Sequence, residues 1–411
     1  MTTFTDAATD YLAPLGTDDV RRRAWAAFEQ VGLPTTSDEV WRYAPLADFS
    51  LDRFTPVSVP RLVATSEFAQ RLAARGALVV RVVDGFLEDG PELEGVRVES
   101  LDDERSLDGQ SRLTRYAGDA FALLNATFAP STIVVRVAPG VHVERPIVVL
   151  NVTNSSTSFP RLHVEVGRGA NATVVEYLEG GEDALVVPLT EYHVGENASL
   201  QVVTYQRLAP SAWHVGRSTG FLERDARLRQ AVVGVGAHYD RSRNDAEMRA
   251  SGASNELRTT YLGAGEQVHD FRTHQFHVAP RTQSTLLAKG AVADRSRSIY
   301  TGLIEIEKGA KRTDARQTNR NLLLSPSAHA DSVPNLEIRE NDVVCAHASS
   351  VGPLDEMQRW YLESRGVERA DAERLMIQGF FNEMMVALPD DVALLIESDV
   401  NAALSVVEVH A

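Results

Sequence analysis

Residues 309–362, GAKRTDARQTNRNLLLSPSAHADSVPNLEIRENDVVCAHASSVGPLDEMQRWYL, decide the fold. Small-residue corners recur in and beside this stretch at short intervals: Lys308-Gly309-Ala310, Ser325-Pro326-Ser327-Ala328 and Glu340-Asn341-Asp342. Strand-like runs such as Leu322-Leu323-Leu324 and Leu336-Glu337-Ile338 lie between them. Short strands at regular spacing with turn residues between them predict repeated all-β coils. The only cysteine, Cys345, sits here, with His347 two residues on. After Val351 the texture turns helical: Pro353 suits a first helical position, and Leu354, Met357, Tyr361 and Leu362 carry the three-to-four spacing.

Working back toward the N-terminus, the β texture holds from Ser131 onward. IVVRV, HVERPIVVL, LHVEV, ATVVEYL and SLQVVTY are rich in β-branched residues and bounded by turns. Corners recur as Gly169-Ala170-Asn171-Ala172, Glu196-Asn197-Ala198, Arg224-Asp225-Ala226 and Ser254-Asn255-Glu256. Offsets of 26 residues from Asn171 to Asn197 and 28 from Ala198 to Ala226 match one solenoid coil or a hairpin pair. Periodicity alone fits a β-solenoid, and a jelly roll or sandwich reads similarly. Before this region, Thr17 suits the N-cap of a helix that Gly32 and Pro34 stop, with Val20, Ala24 and Phe28 on its apolar stripe. Trp41, Tyr43 and Pro45 read as anchors of a helical arm. Residues 65–75 and 112–126 read as helices and 77–83 as a strand. After Gly366, Asp371 opens a helix with Leu375, Met376, Phe380 and Met384 as its apolar stripe, and Asp390-Asp391 begin another. The chain thus divides into an N-terminal helical and mixed arm (1–126), a β core (127–351) and a C-terminal helical domain (352–411).

At 411 residues, with 44% hydrophobic and 24% charged residues, the composition is that of a large globular protein. No apolar run approaches the roughly 18–20 residues of a membrane span, and MTTFTDAATDYLAPLG lacks the pattern of a signal peptide. One cysteine forms no internal disulfide, which fits a reducing, cytoplasmic setting. The net charge of −16 argues against nucleic-acid binding. The charge is uneven: nine basic and four acidic side chains over 281–320, four and twelve over 351–411. A basic patch on a solenoid face could meet an acidic partner, although a solvated surface reads the same way.

Most chemical motifs fall away. Gly216-Arg-Ser-Thr-Gly220 matches the nucleophile-elbow pattern but lies among β segments, with no helix following. Gly234-Val-Gly236 and Gly263-Ala-Gly265 lack the third glycine and the helix of a nucleotide loop, so no nucleotide is expected on this chain. His269, His274 and His277 are the densest histidine cluster, but strand parity sets His274 opposite the other two. No carboxylate pair is marked out for glycoside hydrolysis. Cys345 and His347 share one face of a strand, roughly 7 Å apart at Cα. Both suit iron and sulfide, yet a lone cysteine is commonly a buried small hydrophobe.

The run TDARQTNRNLLLSPSAHADSVPNLEI, then Cys345-Ala346-His347, then LDEMQ with Tyr361-Leu362 and Arg365-Gly366, resembles the SufB/SufD family of SUF-system iron–sulfur cluster assembly scaffolds. Gly352, Leu354-Asp355-Glu356 and Gln358 bring it nearer the SufD branch. The resemblance is densest over 290–380, extends over 110–290 and thins before residue 100. It implies a mainly β fold, a right-handed parallel β-helix core with helical domains at both termini. It implies a non-catalytic subunit of a SufB–SufC–SufD complex, pairing with a SufB-like subunit through the solenoid end. The SufC-like ATPase would sit on the C-terminal helices, at Leu375, Phe380 and Met384. His347 and Cys345 become one side of a cluster-assembly interface, ligands of an iron–sulfur cluster held transiently and shared with SufB. A homodimer of the isolated chain is compatible with this, and no nucleic acid or membrane is involved. Ala348-Ser349-Ser350 departs from the family's usual G-A-T. A SufB-type scaffold and a β-helix polysaccharide-active enzyme are the alternatives.

Overall fold

The computed structural model describes residues 3–17, 19–59, 66–91, 93–101, 115–385 and 388–404. The chain winds through two facing sheets, and successive long strands alternate between them. In the first sheet, Ile147–Thr153, Asn171–Gly180, Ser199–Leu208, Arg227–Gly234, Ser254–Gly263, Gln283–Val292, Thr313–Leu323 and Val343–Gly352 stack in parallel. The second runs in the same way from Thr132–Val137 through Arg161–Val166 and Leu189–Val194 to His329–Ile338. This is a parallel β-helix, and no α-helix interrupts the chain between Phe128 and Glu356.

The corners explain the stacking. Gly140, Gly169, Asn197, Asp225 and Gly252 all adopt positive φ, the left-handed conformation that glycine, asparagine and aspartate tolerate best. Each of the first four donates its N–H across to the next coil: Gly140 to Arg168 O, Gly169 to Glu196 O, Asn197 to Arg224 O and Asp225 to Ser251 O. After the last four, Ala170, Ala198, Ala226 and Ala253 turn inward and are fully buried, because only a small side chain fits inside the bend. The fourth corner therefore falls at Gly252-Ala253; Ser254-Asn255-Glu256 already belongs to the next strand.

The two ends of the solenoid differ. At the N-terminal end, Phe86–Asp89 and Val96–Leu101 lie antiparallel on the first and second sheets and close both ladders. At the other end, Val343–Gly352 and His329–Ile338 are edge strands, each paired on one side only among the described residues.

Helices cover the outer faces. The helix Val20–Val31 is capped by Asp19 rather than Thr17, since Asp19 accepts from Arg21 N, and it ends at Gly32. With Phe4–Leu12 and Ala120–Phe128 it builds an aromatic cluster of Phe4, Trp25, Phe28, Phe121 and Phe128 on the second sheet. Trp41 is buried there beneath Arg241, whose guanidinium stands 3.6 Å from the ring centroid. The helix Arg369–Met385 lies along the first sheet, not across its end. Its Ile377, Phe381 and Met385 pack with Leu262, Ala291, Leu324 and Leu354. Lys289 fixes this docking: its ammonium donates to Phe380 O at 2.7 Å and pairs with Glu383 at 2.7 Å. Among the described residues no helix is long and apolar enough to cross a membrane.

Candidate functional site

Strand alternation places Cys345, His347 and Ser349 on one face of Val343–Gly352, in register with the buried Ala315, Gln317 and Asn319 of the preceding coil. That face is the mouth of the solenoid interior. Cys345 is half-buried and packs beside Ile304, Ile306, Ala310 and Ala315. Burial first, then the Asp314 charge, push its thiol above the ordinary value, so the neutral thiol dominates at pH 7. A metal would have to displace that proton. His347, one step further along, is exposed. The Ser349 and Ser332 hydroxyls bridge the two end strands at 2.7 Å, and Asn319 donates to Ser332 at 2.8 Å. Around this mouth Leu336, Ile338, Val344 and Val351 stand exposed. The end of the solenoid is thus an apolar rim with His347 inside it and two unpaired strand edges beside it.

The C-terminal helices distribute the other expected site residues differently. Leu375 is half exposed, Phe380 is half-buried with the Lys289 ammonium 4.8 Å above its ring, and Met384 is buried. Leu375 and Met384 are nine residues apart, half a turn out of phase, so they cannot share one face. The stripe read from the sequence is corrected accordingly: Ile377, Phe381, Met384 and Met385 face inward, and Met384 offers no surface to a partner. The exposed apolar surface lies instead on the helix Glu356–Ser364, where Met357 (71%), Trp360 (62%) and Tyr361 (53%) stand in solvent. The helical spacing of Met357 and Tyr361 was legible; their outward direction was not.

The remaining motifs resolve simply. Gly216–Gly220 lies within the strand Trp213–Leu222, with no elbow. His269 and His277 point inward and are fully buried, while His274 points outward to Glu305. His277 is held by Thr282 and Ser284, and burial pushes it down to about 3, so it stays neutral. His269 and His214 both reach Asp240, at 3.2 and 2.7 Å. Burial opposes the Asp240 charge, but these two bonds hold its carboxyl well below the usual range. His269 and His277 are therefore part of a buried polar interior, and His274 lies outside it.

A solenoid with one closed end, one open end and helices along its sides places the chain among the parallel β-helix proteins. The chain belongs to the SUF system FeS cluster assembly family: the SufBD core domain model matches residues 148–380. It is 28% identical over 374 residues to the iron–sulfur cluster assembly protein SufD of Escherichia coli, spanning 88% of this chain and 87% of that protein. SufD of Bacillus subtilis is 31% identical over 259 residues, 62% of this chain and 59% of its own length. A SufBD family protein of Mycobacterium tuberculosis is 29% identical over 379 residues, 89% of this chain and 87% of its own. The matched core includes every coil from Asn171 to Gly352.

Proposed function

We propose that this chain is a SufD-like, non-catalytic scaffold subunit that assembles iron–sulfur clusters with a SufB-like subunit and a SufC-like ATPase in the cytoplasm. The observation that carries the reading is the open solenoid end. Two unpaired edge strands and an apolar rim of Leu336, Ile338, Val344 and Val351 favour burial against a second protein. His347 would then face the partner as a half-site ligand, with Cys345 behind it. The nascent cluster is the cargo of this interface, held transiently and completed by ligands from the SufB-like side. His347 is the stronger ligand candidate, because an imidazole at the surface needs no proton displaced from a buried thiol.

The ATPase is assigned to the C-terminal helices, at exposed Met357, Trp360, Tyr361 and Leu375. Met and aromatic side chains adapt well to binding surfaces. In this reading the arm (1–126), the core (127–351) and the C-terminal domain (352–411) serve respectively as brace, interface and ATPase dock. The test is co-expression of the three subunits followed by mass spectrometry of the native complexes. A complex containing all three is expected. If this chain stays alone or only self-associates while the other two assemble, the subunit assignment is wrong.

A further inference from the structure

The outer face of the second sheet carries another set of metal-ligating side chains, separate in the chain from the last coil. Leu162, Val164 and Val166 fill the interior side of the strand Arg161–Val166, so His163 faces outward. One coil later, Glu191 lies directly beside His163 in the parallel register. His193 follows two residues on, on the same face of its strand.

Three ligand atoms converge there. His163 Nδ1 is 3.7 Å and His193 Nε2 is 3.9 Å from the same oxygen, Glu191 Oε2. All three atoms lie within 4.8 Å of one another. These separations are too long for good hydrogen bonds. They suit donors of one ion, since atoms about 2.1 Å from a tetrahedral centre stand about 3.4 Å apart. The other carboxylate oxygen, Oε1, is held by Arg115 Nη1 at 3.0 Å and by the Tyr116 hydroxyl at 2.9 Å. Such outer partners orient a ligating carboxylate. Rings hold the imidazoles: His193 lies against His163 at 4.6 Å and against Phe221 at 4.8 Å between centroids, tilted in both pairs. His163 and Glu191 are buried, whereas the His193 side chain is 35% exposed, so the cluster has one side open to solvent.

Two imidazoles and one carboxylate suit zinc and ferrous iron and leave coordination positions open. We propose that His163, Glu191 and His193 bind one divalent transition-metal cation, zinc or ferrous iron, at a site distinct from Cys345 and His347. The charge set matches: the Glu191 carboxylate faces the ion through one oxygen and the Arg115 guanidinium through the other. The competing reading is a buried Arg115–Glu191–Tyr116 knot that merely pins residues 115–119 to the sheet.

The test uses the chelator-treated full chain titrated with Zn²⁺, with Co²⁺ as a visible-absorption probe, and with Fe²⁺ under anaerobic conditions. One equivalent is expected in the wild type and in His347→Ala. His193→Ala, partly exposed and therefore compatible with the native circular dichroism spectrum, should weaken binding at least tenfold. Glu191→Gln retains an Oε1 acceptor for Arg115 and Tyr116 and should weaken binding as much. Two outcomes overturn the proposal: no stoichiometric binding by the wild type, or binding lost with His347→Ala and unchanged in His193→Ala.

Discussion

Glu176 sits inside the solenoid at 3% exposure. Its carboxyl accepts from Thr190 Oγ1 at 3.2 and 3.3 Å and from Asn151 Nδ2 at 3.4 Å. Burial is the dominant influence and raises it to about 7, against the smaller opposing effects of the Thr190 hydrogen bond and His214. A carboxyl raised in the folded state binds its proton more readily folded than unfolded, so stability falls as pH rises from its ordinary 4.5 toward 7. At about 1.4 kcal/mol per pH unit, the full loss is on the order of 3 kcal/mol, complete above pH ~7 and absent below pH ~4.5. Glu176→Gln removes the charge and keeps the volume and an acceptor for Thr190. The variant should therefore be close to wild type at pH 4.5 and more stable by about 3 kcal/mol at pH 8. Chemical denaturation of both proteins at the two pH values measures this directly, and the difference between them isolates the one group. A stability difference that does not change with pH would refute the reasoning, because the cost would then lie in shape rather than in charge.

Two further predictions follow from packing. A Cβ at Gly290 would stand 2.0 Å from the Tyr261 ring, which is fully buried and stacked 4.8 Å from Phe271. Gly290→Ala should cost about 3 kcal/mol or more, seen as a lowered denaturation midpoint or as insoluble protein. Trp360→Ala with Met357→Ala removes exposed apolar surface only, so the midpoint should move by no more than about 0.5 kcal/mol. Affinity for the ATPase subunit should fall at least tenfold, and an unchanged affinity in a pull-down titration would move that partner elsewhere. These point variants are cleaner than deleting 367–411, which would strip Ile377, Phe381 and Met385 from the first sheet.

The coils were legible because their corners need particular residues. A left-handed Gly, Asn or Asp followed by a buried Ala leaves a mark at Gly169, Asn197 and Asp225. The helix after Pro353 was legible from its spacing, but it starts at Glu356 under an Asp355 cap rather than at Pro353. Cap choice was less so, because Thr17 and Asp19 carry equivalent side-chain acceptors and only chain direction selects Asp19. Inner and outer faces were harder still. Helices cover parts of both sheets, so strands such as Val268–His277 bury polar side chains on both faces and alternation loses its contrast. The same covering misled the reading of Met384, which packs inward with Phe381 and Met385. Cys345 and His347 could be placed side by side from the sequence, but their unequal burial depends on the preceding coil. His163 and Glu191 had no local mark at all; one full coil separates them, and only the parallel register brings them together.

We propose that His347, at the open end of the solenoid, holds one side of a nascent cluster between subunits. The direct measurement is iron and acid-labile sulfide per complex, after anaerobic co-purification of the three subunits with either wild type or His347→Ala. His347 is exposed, so the variant should fold and assemble as the wild type does, with iron and sulfide both reduced several-fold. Equal iron and sulfide in the intact variant complex would contradict the account and place cluster assembly at other residues.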